Sequence, residues 1–272
     1  MKPTLLSIFQ PFPLSTILLL AAAGALAQSA APRQPATLVQ PTALAQPDTL
    51  TAQVAAYPGP SGHVLNGSTH DLSLLDIRTL SIKSAIMLSG KPDTADQLLI
   101  IKEGDLTLSS LDSVTGLGPG SVALIPAGTV YSLEAERCTF YRFRFQSRRP
   151  AGTPPPSPAT GKYPFLLTWP AMTVQHTAKG ETRQIFSQPT PWLSKIDLHA
   201  TTLNPGEVSH PPHIHRAEEI ILMRTGHVQE YINGKHYPAT DGDLIFLPSG
   251  NPHALENTGT VPAEYFALQW QP

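Results

Sequence analysis

The sequence predicts an all-β protein built from two tandem β-barrels with little helix. Short β-prone runs recur along residues 58–272 and are separated by Gly and Pro at close spacing, a pattern typical of sandwiches and barrels. The second half of this region repeats the pattern of the first. No long stretch has the period of an amphipathic helix. These observations favour a duplicated barrel over a helical or mixed fold.

The composition allows a sizeable core and argues against nucleic acid as a partner. The chain has 272 residues, 41% hydrophobic and 14% charged, which is enough for one large or two ordinary domains. Its net charge is −2, with 18 Lys+Arg against 20 Asp+Glu and no basic stripe, so we expect no nucleic-acid binding. The single cysteine, Cys138, excludes an intrachain disulfide and is expected to be a core thiol.

Residues 1–27 are expected to be a secretory signal peptide. Lys2 supplies a weak positive end, residues 14–23 are apolar apart from two hydroxyl side chains, and Ala25-Leu26-Ala27 fits a cleavage site. The apolar run is short for a membrane span. We therefore expect a periplasmic or secreted protein that has no membrane span after cleavage.

Two further segments are predicted to lie outside the barrels. Residues 28–57 are rich in Ala, Gln, Pro and Thr and carry almost no charge, which indicates a disordered arm. Residues 148–162 contain four prolines within five positions, which excludes a central strand and indicates a semi-rigid linker. An N-terminal barrel over 58–147 and a C-terminal barrel over 163–272 remain.

The β-prone runs can be located in both barrels. In the first they are residues 80–87, 97–101, 105–108, 121–125 and 139–145. In the second they are residues 196–203, 220–223, 228–232, 244–247 and 264–270. Directly after the run 228–232, Asn233-Gly234 predicts a tight β-hairpin.

The two barrels share a spaced motif. Gly242, Pro248, Gly250 and His253 are 6, 2 and 3 residues apart, and Gly120, Pro126, Gly128 and Tyr131 have the same spacing. Upstream, Glu219 lies seven residues before Gly226, as Gln97 does before Gly104. Agreement at both places predicts an internal duplication.

The second barrel carries a candidate metal site made of His213, His215, Glu219 and His253. Residues two apart in a strand project to the same face, so the first two histidines should point together. Imidazole and carboxylate without thiolate suit one divalent transition metal, namely Mn, Fe, Ni, Co or Zn. Four such ligands on an octahedral ion leave two positions for water or substrate, as in catalytic sites.

The first barrel lacks these ligand types. Four of its residues fall on the candidate ligands: Lys91 on His213, Asp93 on His215, Gln97 on Glu219 and Tyr131 on His253. We expect no metal there and expect Tyr131 to fill core space.

These stretches closely resemble the two motifs of the cupin family. The first runs from Gly206 to Gly226 and departs by one extra residue between Gly206 and His213. The second, G-x5-P-x-G-x2-H-x3-N, fits residues 242–257 without departure. The resemblance implies two double-stranded β-helix (jelly-roll) barrels, hence a bicupin with a degenerate N-terminal cupin and a metal-type C-terminal cupin. It also implies that the four candidate ligands hold the metal and that the protein is a homodimer.

The resemblance does not choose one activity, because cupins include dioxygenases, isomerases, decarboxylases, hydrolases and non-enzymatic binders. The layout is similar to that of ureidoglycine aminohydrolases, in which the C-terminal half is also the intact one. That family typically has a glutamate and a glutamine where this chain has His213 and His253. The usual location of that family also differs from the secretory one expected here.

Five more residues are candidates for positioning ligands or contacting substrate: His210, Tyr231, Asn257, Phe266 and Gln269. A surface loop is the favoured position for the first, and a structural hydrogen bond the favoured role for Asn257. The others lie on strands that can line a barrel mouth, where aromatic residues more often fill the core. Glu218 alternates with Glu219 and is expected to point outward into a salt bridge.

The favoured function is a metal-dependent enzyme acting on a small molecule, either ureidoglycine aminohydrolase-like or another hydrolase. A cupin-type dioxygenase is one alternative, and a non-enzymatic periplasmic small-molecule binding protein is another. A structural bicupin of the seed-storage type is disfavoured by the intact ligand set. No separate nucleophile or acid–base pair is readable, so the metal is expected to carry the reaction.

Overall fold

The computed structural model describes residues 50–83, 86–89, 92–111, 113–148 and 164–272. The expected signal peptide, most of the arm and of the linker, and Lys91 lie outside these ranges.

The described residues form twenty β-strands. The first ten are β1 Gln53–Ala55, β2 Gly62–Gly67, β3 Leu72–Ile82, β4 Ile86–Ser89, β5 Asp96–Gly104, β6 Leu106–Ser110, β7 Val114–Leu117, β8 Val122–Ile125, β9 Tyr131–Ala135 and β10 Cys138–Ser147. The second ten are β11 Phe165–Leu167, β12 Gln175–Thr177, β13 Gly180–Gln188, β14 Lys195–Leu203, β15 Glu218–Thr225, β16 His227–Ile232, β17 Lys235–Thr240, β18 Leu244–Leu247, β19 His253–Asn257 and β20 Ala263–Gln271.

Each barrel consists of one large and one small antiparallel sheet. In the N-terminal barrel the strand orders are β11-β8-β5-β10-β3-β2 and β4-β9-β6-β7. In the C-terminal barrel they are β1-β18-β15-β20-β14-β13-β12 and β17-β16-β19. One short 3-10 turn, Trp169–Ala171, is the helical element of the described residues. The all-β jelly-roll fold predicted from the sequence is confirmed.

No helix in the described ranges combines the length and the hydropathy that crossing a bilayer requires.

Each barrel takes one strand from beyond the expected domain boundary. β1 pairs with β18 of the C-terminal barrel, although residues 53–55 fall within the segment expected to be a disordered arm. β11 pairs with β8 of the N-terminal barrel, although residues 165–167 follow the Pro-rich segment. Strands of three residues are too short to show a period of two, and their pairing with a sheet edge overrides the local composition.

The two large sheets pack on each other through a shared core. In β15, Ile220 and Leu222 belong to this shared core, whereas Ile221 and Met223 face the interior of the C-terminal barrel. Strands that are covered on both faces read as unbroken apolar runs. This explains the continuous hydrophobic run at 220–223, because each buried Ile, Leu or Met side chain contributes about 1.5–3 kcal/mol.

The duplication is visible in the backbone. At each repeated glycine both barrels have positive φ: Gly104 73° and Gly226 94°, Gly120 84° and Gly242 87°, Gly128 81° and Gly250 76°. The equivalent residues also have equivalent cross-strand partners, because Gln97 lies opposite Ile125 and Glu219 opposite Leu247. The left-handed conformation favours Gly at these turns, so the repeated glycines mark repeated geometry.

Two local predictions are confirmed. Asn233 and Gly234 have φ values of 50° and 83° and join β16 to β17, as a tight hairpin turn requires. Cys138 is buried in the core of the N-terminal barrel, and burial raises its thiol pKa to about 11. It is therefore an unreactive core thiol.

Candidate metal centre

Three histidines converge at one end of the C-terminal barrel. His213, in the loop before β15, forms an isolated antiparallel bridge with His253, the first residue of β19. Potential ligand nitrogens of His213, His215 and His253 all lie within 4.8 Å of one another. Ile214, between the first two, points away and is 61% exposed. The sequence expectation that His213 and His215 point together is thus met by an extended loop rather than a regular strand.

Glu219 adds a buried carboxylate beside the histidines. Its Oε2 lies 3.1 Å from His215 Nε2 and 3.4 Å from His253 Nε2. Gln269 sits directly opposite it on β20 and hydrogen-bonds its carboxylate. Gln269 is therefore a positioning residue for Glu219, one of the roles considered from the sequence.

Backbone carbonyls fix the orientation of two imidazoles. Nδ1 of His215 lies 2.8 Å from the carbonyl of Ala217, and Nδ1 of His253 lies 2.8 Å from that of Asn251. A carbonyl only accepts, so each Nδ1 carries a hydrogen, and in the neutral imidazole the lone pair that can bind a metal is on Nε2. Metal-binding histidines are commonly held in this way.

The chemistry of the cluster fits a divalent transition metal. Nδ1 of His213 and Nε2 of His253 are buried without a hydrogen-bond partner among the described residues, a condition that costs stability unless a ligand satisfies them. Burial tends to raise the pKa of Glu219, but the nearby side chains of His215, His253 and Gln269 lower it to about 2. Burial, followed by the neighbouring imidazoles, lowers the pKa of His213. Glu219 and His213 are therefore deprotonated at neutral pH, as metal ligands must be.

A cavity of about 460 Å³ opens beside the cluster, and Glu219 and His253 are part of its wall. Its apolar lining comes from Leu203, Ile221, Leu247, Leu255 and Ala267. Polar groups include Thr201, His210 and Tyr265. Burial raises the pKa of Tyr265, so its hydroxyl remains a hydrogen-bond donor.

A second buried carboxylate, Glu230 on β16, also faces this cavity. It is 1% exposed, and neither oxygen has a hydrogen-bond partner of ordinary geometry among the described residues. Burial, together with the charge of Glu219, raises the pKa of Glu230 to about 8. Sequence reasoning missed this residue, although it alternates with Val228 and Ile232, both of which fill the barrel core.

His210 lies at the site rather than on a remote surface loop. Its ring centroid is 3.9 Å from that of His213 and 6.0 Å from that of His253. Burial lowers the pKa of His210. No periodic pattern around it indicates this placement, because residues 208–217 are mostly irregular.

Two candidate contacts, Tyr231 and Phe266, were wrong by one residue. Strand alternation turns Tyr231 away from the cavity towards His236, 5.5 Å between ring centroids, while its neighbour Glu230 faces inward. Likewise Phe266 packs in the shared core between the large sheets, and Tyr265 lines the cavity instead.

Asn257 has the structural role expected. Its Nδ2 donates to the carbonyls of Leu203 and Val261 at 2.8 and 2.9 Å, and its Oδ1 accepts from the Gly259 amide at 2.9 Å. The side chain is fully buried, so it ties three backbone segments together.

The expected outward salt bridge of Glu218 is wrong. Glu218 does point opposite to Glu219, but the shared core lies on that side, and the residue is 1% exposed. Its carboxylate accepts from the Trp270 indole and the His70 amide, both at 3.0 Å, and from the Thr69 hydroxyl. Arg216 binds the same loop through two 2.8 Å bonds to Asp71. Arg216 and Glu218, which lie between the candidate ligands His215 and Glu219, therefore bind the β2–β3 loop of the N-terminal barrel.

The corresponding end of the N-terminal barrel is built differently. Tyr131 packs against the interior core of this barrel, as expected, and its hydroxyl also donates to Gln97 at 3.0 Å. Asp93 accepts two bonds from Arg144, at 2.7 and 2.8 Å. Three of the four ligand-equivalent residues are thus engaged in other interactions, and Lys91 lies outside the described residues.

Comparison with known proteins supports the family. A cupin domain model matches residues 200–268. An oxalate-binding protein of Thermotoga maritima is 34% identical over 83 residues, covering 28% of this chain and 69% of that protein. The chain therefore belongs to the cupin superfamily.

Other similarities are partial or structural. A mannose-1-phosphate guanylyltransferase of Klebsiella pneumoniae is 38% identical over 77 residues, which span 28% of this chain and only 16% of that enzyme. The formate complex of Lactobacillus farciminis oxalate decarboxylase superposes with a TM-score of 0.62 at 14% identity, covering 82% of this chain and 87% of that one. AerE from Microcystis aeruginosa gives a TM-score of 0.59 at 13% identity, covering 81% and 97%. At these identities the structural matches show the bicupin fold alone.

Proposed function

We propose that this protein is a metal-dependent enzyme that transforms a small carbonyl- or carboxylate-containing molecule inside its C-terminal barrel. The proposed ligands are His213, His215, Glu219 and His253, and the proposed cofactor is one divalent Mn, Fe, Ni, Co or Zn ion. When bound, such an ion polarises a substrate oxygen or lowers the pKa of a water molecule.

The observation that favours turnover over simple binding is Glu230. In the metal-free protein, burial and the charge of Glu219 raise the pKa of Glu230 to about 8, so this carboxyl group holds a proton at neutral pH that it can donate and then recover. A buried carboxyl group without a partner costs stability, and active sites are where such groups are retained. We therefore assign proton transfer to Glu230, in place of the expectation that the metal acts without an acid–base residue.

The size and lining of the cavity favour a substrate larger than oxalate. About 460 Å³ lies within the usual range for small-molecule sites. Since one water occupies about 30 Å³ of liquid, there is room well beyond the six non-hydrogen atoms of oxalate. The oxalate-binding relative supports an oxygen-rich substrate, and the apolar wall suits an additional hydrocarbon part. The Tyr265 hydroxyl supplies a hydrogen bond to substrate oxygen.

The reaction class is tested by a substrate screen. Metal-loaded protein is incubated with ureido compounds, carboxylic acids and phenols, with and without oxygen. Oxygen-independent product supports a hydrolase, including the ureidoglycine aminohydrolase-like alternative, or another non-oxidative reaction. Product that requires oxygen supports the dioxygenase alternative. Ligand binding without any product would support the binding-protein alternative and contradict an enzyme.

Glu230→Gln provides the matched test of mechanism. We expect turnover to fall by about 100-fold or more, the usual contribution of a general acid–base group, while metal content and substrate affinity remain near wild type. Glu256→Gln, an exposed residue on β19, is the control and should keep full activity. Unchanged turnover in Glu230→Gln would refute the assigned role.

Export and dimerisation complete the proposal. The signal-like residues 1–27 support a periplasmic or secreted location, and the family resemblance supports a homodimer. Cell fractionation and light scattering test these two points, and a cytoplasmic protein or a stable monomer would contradict them.

A further inference from the structure

We propose that the partly exposed end of the N-terminal barrel is an oxyanion-binding site centred on Arg142, with Arg78 beside it. The site lies in the barrel without the histidine cluster and does not depend on the function proposed above. Its ligand class is a carboxylate or a phosphate, which share the negatively charged oxygens that a guanidinium recognises.

Strand alternation turns Arg142 towards the barrel interior. On β10, Tyr141 and Phe143 belong to the shared core between the large sheets, whereas Phe140 belongs to the interior core of the N-terminal barrel. Residues two apart share a face, so Arg142 and Arg144 point to the same side as Phe140.

The duplicated register places Arg142 and Arg78 at the positions whose equivalents line the cavity of the C-terminal barrel. On β20 and β14 of the C-terminal barrel, Ala267 lies opposite His199, and both residues line the substrate cavity. Gln269 lies opposite Glu219, just as Arg144 lies opposite Gln97. Two residues earlier on the same strands, Arg142 therefore stands where Ala267 does, and its neighbour Arg78 stands where His199 does.

Of the three guanidinium groups in this part of the barrel, that of Arg142 has no partner among the described residues. Arg144 is bonded to Asp93, and Nε of Arg78 lies 3.0 and 3.2 Å from the carboxylate oxygens of Asp76. Arg142 has no ion pair or hydrogen bond among the described residues, and its Nε is buried. Within the group formed by Arg78, Arg142, Arg144, Asp76 and Asp93, three arginines thus face two aspartates, which leaves one excess positive charge in that group.

An unpaired guanidinium in a partly buried place is unfavourable. Burial, and then the nearby charge of Arg144, lowers the pKa of Arg142, which means that its charged form is destabilised where it stands. The guanidinium carries five N–H donors in a rigid fork that matches the oxygens of carboxylates and phosphates. A bound oxyanion would satisfy these donors and cancel the excess charge.

The test measures anion binding in full-length protein that has been stripped of metal with a chelator and then dialysed, in a His213→Ala background. This background prevents anion uptake through a metal at the C-terminal site. Oxalate and inorganic phosphate are titrated separately by calorimetry. We expect saturable binding of at least one of them, at one site per chain, and the preferred anion identifies the source.

Arginine variants decide whether this binding uses the proposed site. Arg142→Gln should weaken it at least tenfold, Arg142→Lys should retain part of it, and Arg137→Gln, an exposed control, should remain within twofold of the background protein. Arg78→Gln tests the site if Arg142→Gln does not fold. Absence of binding, or binding that neither Arg142→Gln nor Arg78→Gln weakens, would overturn the proposal.

Discussion

His213 and His253 are joined through their backbones, because each amide donates to the other's carbonyl at 3.1 Å. This bridge fastens the loop that carries the first motif to the start of β19, which carries the second. The distance between the two imidazoles, 4.6 Å between centroids, is therefore set by the barrel itself. A metal that binds this preorganised cluster would not first have to order its ligands.

Replacing Glu230 by Gln should stabilise the metal-free protein at alkaline pH. The pKa of Glu230 is raised to about 8, so between its ordinary value near 4.5 and pH 8 the folded state holds a proton that the unfolded state has released. Stability therefore falls as pH rises through this window. Glu230→Gln removes that loss and should gain about 1–3 kcal/mol at pH 8, with little change below pH 4.5.

Urea unfolding at pH 4.5 and pH 8, in the presence of chelator, measures this effect. Glu256→Gln on the exposed face of β19 should leave both values unchanged. An identical pH dependence in wild type and Glu230→Gln would mean that Glu230 titrates normally.

Replacing Glu218 by Ala should destabilise the contact between the barrels. Its carboxylate accepts from the Trp270 indole and the His70 amide, and removing it leaves buried donors without an acceptor. We expect a loss of about 2–4 kcal/mol in unfolding free energy. Chemical denaturation measures the loss, and Glu256→Ala is the exposed control. A change in unfolding free energy below about 0.5 kcal/mol would show that these hydrogen bonds do not stabilise the contact between the barrels.

Removing β1 should weaken the C-terminal barrel. A chain starting at residue 58 lacks the strand that covers the edge of β18 and the Tyr57 amide bonded to Asp243 at 3.0 Å. An uncovered edge promotes association. We expect a loss on the order of 2 kcal/mol and concentration-dependent aggregation, monitored by thermal unfolding with light scattering. A chain starting at residue 50 should behave as the parent, and equal behaviour of both truncations would contradict the role of β1.

Restoring one histidine in the N-terminal barrel should not create a metal site. Tyr131→His supplies one imidazole, but Gln97 remains an amide and Asp93 remains bonded to Arg144. Metal analysis should give the same content for Tyr131→His as for wild type. Two metals per chain in the variant would show that one ligand is enough.

The sequence predicted the fold and the convergence of the three histidines because both leave local patterns. Repeated glycines at positive φ and the histidine motifs can be read residue by residue. The pairing of β1 with the C-terminal barrel and of β11 with the N-terminal barrel cannot be read in this way. Strands of three residues are too short to show an alternation of apolar and polar side chains.

Which residues line the cavity depends on which face of each strand points inward. Because a shift of one residue reverses the face, Glu230 and Tyr265 line the cavity, and not their neighbours Tyr231 and Phe266 that the sequence suggests. The sequence favours a solvent-exposed Glu218 because nothing local to β15 shows that a second barrel covers its outer face. The missing information in these cases was tertiary.

The most direct test of the account is the metal content of the purified protein and of His253→Ala, determined by elemental analysis after dialysis. We predict about one divalent transition metal per chain in wild type and at most a tenth of that in the variant. We expect the variant to remain folded. Its unfolding free energy, measured in chelator, should fall by no more than about 2 kcal/mol. His176→Ala, whose side chain is 81% exposed, should retain full metal content. Wild-type protein without stoichiometric metal, or equal metal in His253→Ala, would contradict the proposed metal centre.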